Sequence, residues 1–323
     1  HELIYQYRNE ALLTAVYGEL IDKEKKLRDG KGLSKEQIKV YEAPLNSNIQ
    51  VIAGPGSGKT YTLTLRVARL IHDENVPPEN ILVLAYNRAV VVELKERLTK
   101  LFSSLGYANI IGRLKVFTFH GFCKFCLRES IRNLEFAQWI PKFIETARSQ
   151  PGIISNQLGV IKYVFIDEFQ DITNERLELL QLIANPKNTF TTVIGDPNQS
   201  IYGYERVNEG GSRSPKENYE KFASIYNPIE LHLSRNYRSY QAILTLAESI
   251  ITRNDEKFGI TSLIPIKNNC YSKVIPFVFQ KIVNIHYASR FIATGRFNIR
   301  SNLSGVSSQN KILESIDILF YDV

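Results

Sequence analysis

Short apolar runs alternate with stretches of helical periodicity along most of the chain. Ile49–Ala53, Ile81–Tyr86, Leu114–Phe119, Tyr163–Ile166 and Thr191–Ile194 read as strands. Leu63, Val67, Leu70 and Ile71 recur at helical spacing after the first of them, and Arg88–Leu101 and Glu175–Ala184 read as helices between later ones. Strands alternating with helices specify an α/β fold with a parallel sheet. Ahead of this pattern, residues 1 to about 28 read as an amphipathic helix. Its apolar face is Leu12, Leu13, Val16, Tyr17, Leu20 and Ile21, and it ends in the charged run Asp22–Asp29 and the breaker Gly30-Lys-Gly32. The polar stretch Asn208–Pro215 marks a loop, after which Ile229–Leu233 is expected to open a second α/β unit. Val274–Phe279 and Ile316–Phe320 would be later strands of that unit. The expected organisation is an N-terminal helical extension (1–30), a first domain (31–228) and part of a second (229–323).

A chain of 323 residues is long enough for two domains with full cores. Its formal charge of +7 and pI near 9.1 point toward a polyanionic partner. No apolar run approaches the length of a membrane span and no secretory leader is visible, so a cytoplasmic protein without membrane contact is expected. Cys123 and Cys126 stand in a C-x-x-C spacing, but they fall on helical apolar periodicity without a second pair, which reads as buried packing rather than zinc ligation. Cys270 is isolated in a polar loop. There is no methionine, and His stands at position 1, which gives the expectation either of a fragment whose methionines have been dropped or of segments left out. The basic and aromatic alternation Tyr287–Arg300 reads as an amphipathic helix with solvated arginines.

Two segments carry chemistry. Ala53-Gly-Pro-Gly-Ser-Gly-Lys-Thr60 lies between an apolar strand and a helix, with Ala53 where the strict phosphate-loop pattern has Gly. Gly54, Pro55, Gly56, Ser57 and Gly58 would form the loop that cradles phosphates with backbone N–H groups. Lys59 and Thr60 would serve the terminal phosphates and Mg²⁺. The strand Tyr163–Ile166 then delivers Asp167 and Glu168, one carboxylate to hold Mg²⁺ and the next to orient the attacking water. ATP and Mg²⁺ are thus the expected substrate and cofactor.

In order along the chain, these and further motifs resemble the UvrD/Rep-like superfamily 1 DNA helicases, from Leu33 to about Leu246. The resemblance implies a RecA-like P-loop NTPase sheet with helices on both faces, followed by part of a second RecA-like domain. Leu33–Gln37 is similar to the glutamine motif, which implies that Gln37 reads adenine, its amide matching the N6/N7 edge. Leu84–Ala89 and Thr118–Gly121 resemble contacts to single-stranded DNA, which implies roles for Tyr86, Asn87, Arg88, Thr118 and His120. Gly195–Tyr202 resembles the segment that couples the terminal phosphate, through Gln199, to stacked DNA at Tyr202 and Tyr204. Asn236–Ser239 resembles the fourth motif, with Tyr237 on adenine and Arg238 reaching the γ-phosphate from the second domain.

The chain departs from the family at named places. Ala85 stands where relatives carry an aromatic, with Tyr86 one place later, and Tyr204 and Glu205 stand where relatives often have Trp and Arg. The segment between Thr118 and Asp167 is short, so the inserted helical subdomain is expected to be reduced or absent. Nothing after Ser239 resembles the fifth and sixth motifs. The implied function is an ATP-dependent 3′-to-5′ translocase and helicase of DNA repair or replication restart, acting on single-stranded DNA and 3′-tailed duplex, of which these 323 residues would be a fragment. The alternative is a non-catalytic nucleotide- or DNA-binding module of a larger assembly.

Overall fold

The computed structural model describes residues 33–104, 110–200, 202–208, 211, 214–251, 258–260 and 262–267. The apolar runs become β1 (Ile49–Ala53), β2 (Ile81–Ala85), β3 (Lys115–Thr118), β4 (Tyr163–Ile166), β5 (Phe190–Gly195) and β6 (Ile229–Leu233). They form one six-stranded sheet in the order β3-β2-β4-β5-β1-β6. Every pairing in it is parallel. Parallel strands need crossovers, which lay helices on both faces and demand strands that are apolar on both sides. Accordingly β1, β2 and β4 are buried at every position.

The period-two alternation of a strand sorts these side chains between two cores. Ile49, Val51, Ile81 and Val83 pack with helices α1 (Lys35–Glu42), α2 (Lys59–His72) and α3 (Arg88–Ser104) on one face. Ile52, Leu82, Leu84, Val164 and Ile166 pack with α4 (Phe119–Leu127), α5 (Trp139–Ser149), α6 (Asn174–Ile183) and α7 (Lys216–Tyr226) on the other. The helices between β3 and β4 therefore cover the sheet. Cys123 and Cys126 are buried packing positions on α4, as expected. Burial pushes the Cys126 thiol up to about 12 and the Cys123 thiol higher still. Among the described residues no helix is long and apolar enough to cross a membrane.

One strand differs from expectation. β6 does not open a second unit; it pairs with β1 along its whole length, from Ile49 opposite Ile229 to Ala53 opposite Leu233. Asn48 fixes this arrangement. Its side chain donates to the Tyr226 carbonyl at 2.8 Å and accepts from the Thr191 N–H at 2.8 Å, while its own carbonyl accepts from the Ile229 N–H. The exposed Ile229, Glu230 and His232 suit an edge position. A separate two-stranded parallel sheet follows, from β7 (Arg235–Tyr240) and β8 (Ile264–Lys267) with α8 (Gln241–Ile251) between them in sequence. A boundary at 228/229 thus does not follow the strand pairing. The N-terminal helix of residues 1–28, the strands Val274–Phe279 and Ile316–Phe320, Tyr287–Arg300 and Cys270 lie outside the described residues.

Helix α1 is short and starts on a capping box in which Ser34 and Gln37 satisfy each other's backbone N–H groups. Its other end is held from α2. The buried Arg66 guanidinium donates to the carbonyls of Val40 and Ala43 at 2.9 Å each and of Pro44 at 3.0 Å, and Arg69 donates to Tyr41 at 2.6 Å. These are orphan carbonyls of a helix end, which otherwise would be desolvated without a donor. Burial and the neighbouring Arg69 lower the Arg66 pKa to about 10, so it stays charged near neutrality. Arg66→Ala is expected to cost about 3 kcal/mol, roughly a 10 °C fall in Tm, because several carbonyls lose their donor at once. Arg66→Lys should recover little of it, since an ammonium cannot span the same set. Thermal unfolding checks this, and an unchanged Tm in Arg66→Ala would contradict it.

Candidate functional site

Because every strand of the main sheet runs the same way, all their carboxyl ends share one edge, where open α/β sheets bind ligands. The loop after β1 turns into α2 through Gly56 (φ 64°) and Gly58 (φ 81°), both left-handed. A Cβ on Gly56 would also meet the Arg238 Cβ and the Asn236 Nδ2 at 2.8 Å each. Glycine is required there twice over. At the mouth of this loop the Thr60 hydroxyl donates to Asp167 Oδ2 at 2.9 Å, and Lys59 Nζ lies 3.5 Å from Glu168 Oε2. Residues after β1 and β4, far apart in sequence, thus meet at the N-terminus of α2, where N–H groups and the helix dipole favour an anion.

Asp167 is fully enclosed, and burial together with the adjacent Glu168 raises its pKa. Its Oδ1 accepts from the Glu168 N–H at 2.9 Å. Glu168 itself sits at φ 53°, ψ 48°, a left-handed conformation that costs an L-residue about 1–2 kcal/mol. Such strain is characteristic of residues held for function. A hydroxyl and a carboxylate side by side at a phosphate cradle fit Mg²⁺, which takes one or two protein oxygens and completes its shell with phosphates and water.

Two residues missed by sequence reasoning tie Glu168 to the next strand. Gln170 Nε2 donates to Glu168 Oε2 at 2.9 Å, and Gln170 Oε1 accepts from the Asp196 N–H at 2.9 Å. Asp196 Oδ2 in turn accepts from Gln199 Nε2 at 2.8 Å. Burial pushes the Asp196 carboxyl up to about 6, with Lys59 opposing. The available signal was positional: Asp196 follows β5 as Asp167 follows β4.

The start of β7 closes over the loop. Asn236 Nδ2 donates to the Pro55 carbonyl at 2.6 Å, and the Tyr237 N–H donates to the Gly56 carbonyl at 2.9 Å. The Asn236 side chain also accepts from the N–H groups of Arg238 and Ser239, at 2.9 and 2.6 Å. The Tyr237 hydroxyl donates to Gln37 Oε1 at 3.0 Å, and Gln37 Nε2 donates to the Ser57 carbonyl at 3.3 Å. Gln37, Tyr237 and Arg238 are therefore gathered at the phosphate loop. Gln37 is buried and its acceptor is already engaged by Tyr237 and the Ser34 N–H. Its remaining capacity toward a base is the second amide N–H.

Farther along the same edge lie the aromatic residues. Tyr86 stacks on Tyr202 with centroids 4.7 Å apart, and the Arg176 guanidinium lies 4.7 Å from the Tyr86 centroid. Glu205 accepts from the Tyr86 hydroxyl at 2.8 Å and from Arg176 Nη2 at 3.2 Å. Tyr86 is thus engaged by its neighbours, whereas Tyr204 is exposed. Asn87 and Arg88 are exposed, with Asn87 Oδ1 accepting from the Val90 N–H, and the Thr118 hydroxyl caps α4 by accepting from Gly121. Burial and Arg176 push His120 down to about 4, so its ring is neutral near pH 7. The buried Arg206, absent from the sequence expectations, donates to the Gln170 carbonyl at 2.9 Å and to Ser200 Oγ at 2.8 Å.

The UvrD/REP helicase N-terminal domain matches residues 33–150 and 131–220. The chain belongs to the UvrD/REP helicase family. A protein named as putative ATP-dependent DNA helicase YjcD, of Bacillus subtilis (strain 168), is 24% identical over 71% of this chain and 40% of its own length. The ATP-dependent DNA helicase PcrA of Leuconostoc citreum is 25% identical over 69% of this chain and 39% of its own. The chain therefore spans about 40% of the length of these relatives. The crystal structure of Pif1 helicase from Candida albicans aligns with 63% of this chain and 40% of its own, at a TM-score of 0.38 and 16% identity. In this chain of the UvrD/REP helicase family, Glu205 pairs with Arg176 of α6 at 3.2 Å, beside the Tyr86 ring.

Asp171 lies within electrostatic reach of Glu168 on one side and of Arg176, Arg206 and Glu205 on the other. Burial and then Glu168 push its carboxyl up to about 7, and its Oδ1 has no hydrogen-bond partner among the described residues. The unfolded chain holds that proton only below about pH 4, so between there and pH 7 the folded state binds more protons and Asp171's contribution to stability falls as pH rises. Asp171→Asn removes this slope. Its Tm is expected to gain on wild type by on the order of 5 °C between pH 5 and pH 8. A Tm difference independent of pH would contradict the assignment.

Proposed function

We propose that this chain is the ATP-hydrolysing, single-strand-binding part of a 3′-to-5′ DNA translocase and helicase. The observation that carries the reading is the continuous polar path on one sheet edge from Lys59 through Glu168 and Gln170 to Asp196 and Gln199. A branch from the Gln170 carbonyl reaches Arg206, next in sequence to Glu205, which holds Tyr86. The names of the family and its relatives support the ATP-dependent DNA helicase part of it. Lys59 and the N-terminal N–H groups of α2 hold the terminal phosphates of ATP. Glu168, strained and anchored by Gln170, orients the attacking water and accepts its proton. Thr60 and Asp167 hold Mg²⁺, which when bound neutralises charge developing on the phosphates.

Arg238 follows directly on Asn236 and Tyr237, which are bonded to the phosphate loop, so a shift of β7 would change the distance of its guanidinium from the phosphates. That ties turnover to movement of the β7–β8 unit. Tyr202 and Tyr204 supply sequence-tolerant stacking for an unpaired strand. Repair or replication restart is the proposed setting, with 3′-tailed duplex as the substrate of the whole protein.

Glu168→Gln separates binding from chemistry. In the complete protein it is expected to bind a non-hydrolysable ATP analogue within a few-fold of wild type while single-turnover hydrolysis falls on the order of 10²–10⁴-fold. Wild-type hydrolysis by Glu168→Gln would remove Glu168 from the role. Nucleotide binding without any hydrolysis by the wild-type complete protein would instead favour a non-catalytic module.

A further inference from the structure

Tyr219 on α7 is 1% exposed, and its ring is wedged between two others. Phe169 meets it edge-on with centroids 4.9 Å apart, and Phe258 does so at 5.3 Å. Its hydroxyl has no hydrogen-bond partner among the described residues. Buried tyrosine hydroxyls usually find one, because an unpaired polar group is costly away from water. Two turns along the same helix, Tyr226 shows the usual arrangement: its ring stacks on Phe222 and its hydroxyl donates to the Ala184 carbonyl at 3.0 Å. Tyr219 keeps an unused donor instead.

That donor lies beside the residue that anchors Glu168. A Cβ on Gly195, the last residue of β5, would be 2.5 Å from the Tyr219 hydroxyl and 2.6 Å from Gln170 Oε1. Glycine there leaves open the space across which the hydroxyl and the amide oxygen face each other. Gln170 Oε1 accepts from the Asp196 N–H and keeps a second lone pair. Burial, and then the charges of Asp196, Glu168 and Asp171, push the Tyr219 pKa up, so the hydroxyl stays protonated.

We propose that Tyr219 is a positioning residue for ATP hydrolysis, its hydroxyl becoming a second donor to Gln170 Oε1 as Gln170 follows Glu168 onto the attacking water. The inference rests on the hydrolytic reading above and extends it. The two ends of an amide are alike in shape and opposite in hydrogen bonding. With two donors on the oxygen end, Nε2 is left to face Glu168, and the carboxylate is held while it takes the proton of water. Tyr219 acts through Gln170 and touches neither nucleotide nor water.

The test is single-turnover hydrolysis by the complete protein across ATP concentrations, with Tm measured without nucleotide. Tyr219→Phe removes the hydroxyl and keeps the ring. It should lower the maximal rate roughly 2- to 10-fold, the worth of one hydrogen bond, while the half-saturating ATP concentration stays within about two-fold and Tm does not fall. In a Gln170→Ala background the same substitution should have no further effect, because the hydroxyl acts through that side chain. A wild-type rate in Tyr219→Phe would overturn the proposal and leave Tyr219 a packing residue. So would a full further loss in the Gln170→Ala background, or a lowered Tm with a raised half-saturating concentration. Failure of wild type to hydrolyse ATP would sink the hydrolytic reading, and the role of Tyr219 with it.

Discussion

A parallel sheet covered by helices on both faces leaves only its edges for chemistry, and this is the constraint on which the rest of the molecule depends. With every strand of the main sheet running one way, the phosphate loop, the Asp167–Glu168 pair, Asp196, Tyr86 and Thr118 come out on the same edge. These five places are spread along the chain from residue 54 to residue 196. The apolar strands carry the stability, through two cores that their alternating side chains feed. The loops are thereby free to hold strained or buried polar groups such as the left-handed Glu168 and the enclosed Asp167.

Along that edge the polar groups are shared rather than separate. Gln170 uses the two ends of one amide to hold Glu168 and the Asp196 N–H, while its own carbonyl receives Arg206. Buried polar networks of this kind are costly when partly satisfied, so a displacement at one member is felt by the next. On the proposed function, phosphate entering beside Lys59 would compete for the cation that now faces Glu168. The consequence would pass through Gln170 toward the residues around Tyr86 and Tyr202. A motor that ties hydrolysis to its grip on a strand needs a link of this kind.

The sheet and its phosphate chemistry were legible in the sequence because they depend on short-range pattern. Apolar runs of strand length, a glycine-rich turn and a carboxylate pair after a strand are each written within a few residues. Ile229–Leu233 was assigned to the wrong sheet because its sequence reads equally as an edge strand of either unit, and its partner is settled by Asn48, far away along the chain. Arg66 was invisible for a related reason: an arginine in an amphipathic helix looks solvated, and only the fold brings it under the carbonyls of α1. Gln170 and Arg206 sat within or beside recognised motifs, but their roles depend on partners from other strands.

The central claim, that the nucleotide site and the nucleic-acid face are joined through Gln170, is tested most directly by linkage. Single-strand affinity would be measured with and without a saturating non-hydrolysable ATP analogue, in wild type and in Gln170→Ala. Wild type should show a coupling factor on the order of 5–150, equal when nucleotide affinity is measured with and without the strand. In Gln170→Ala each separate affinity should stay near wild type while the factor collapses toward one. A factor that survives Gln170→Ala unchanged would contradict a link through that side chain.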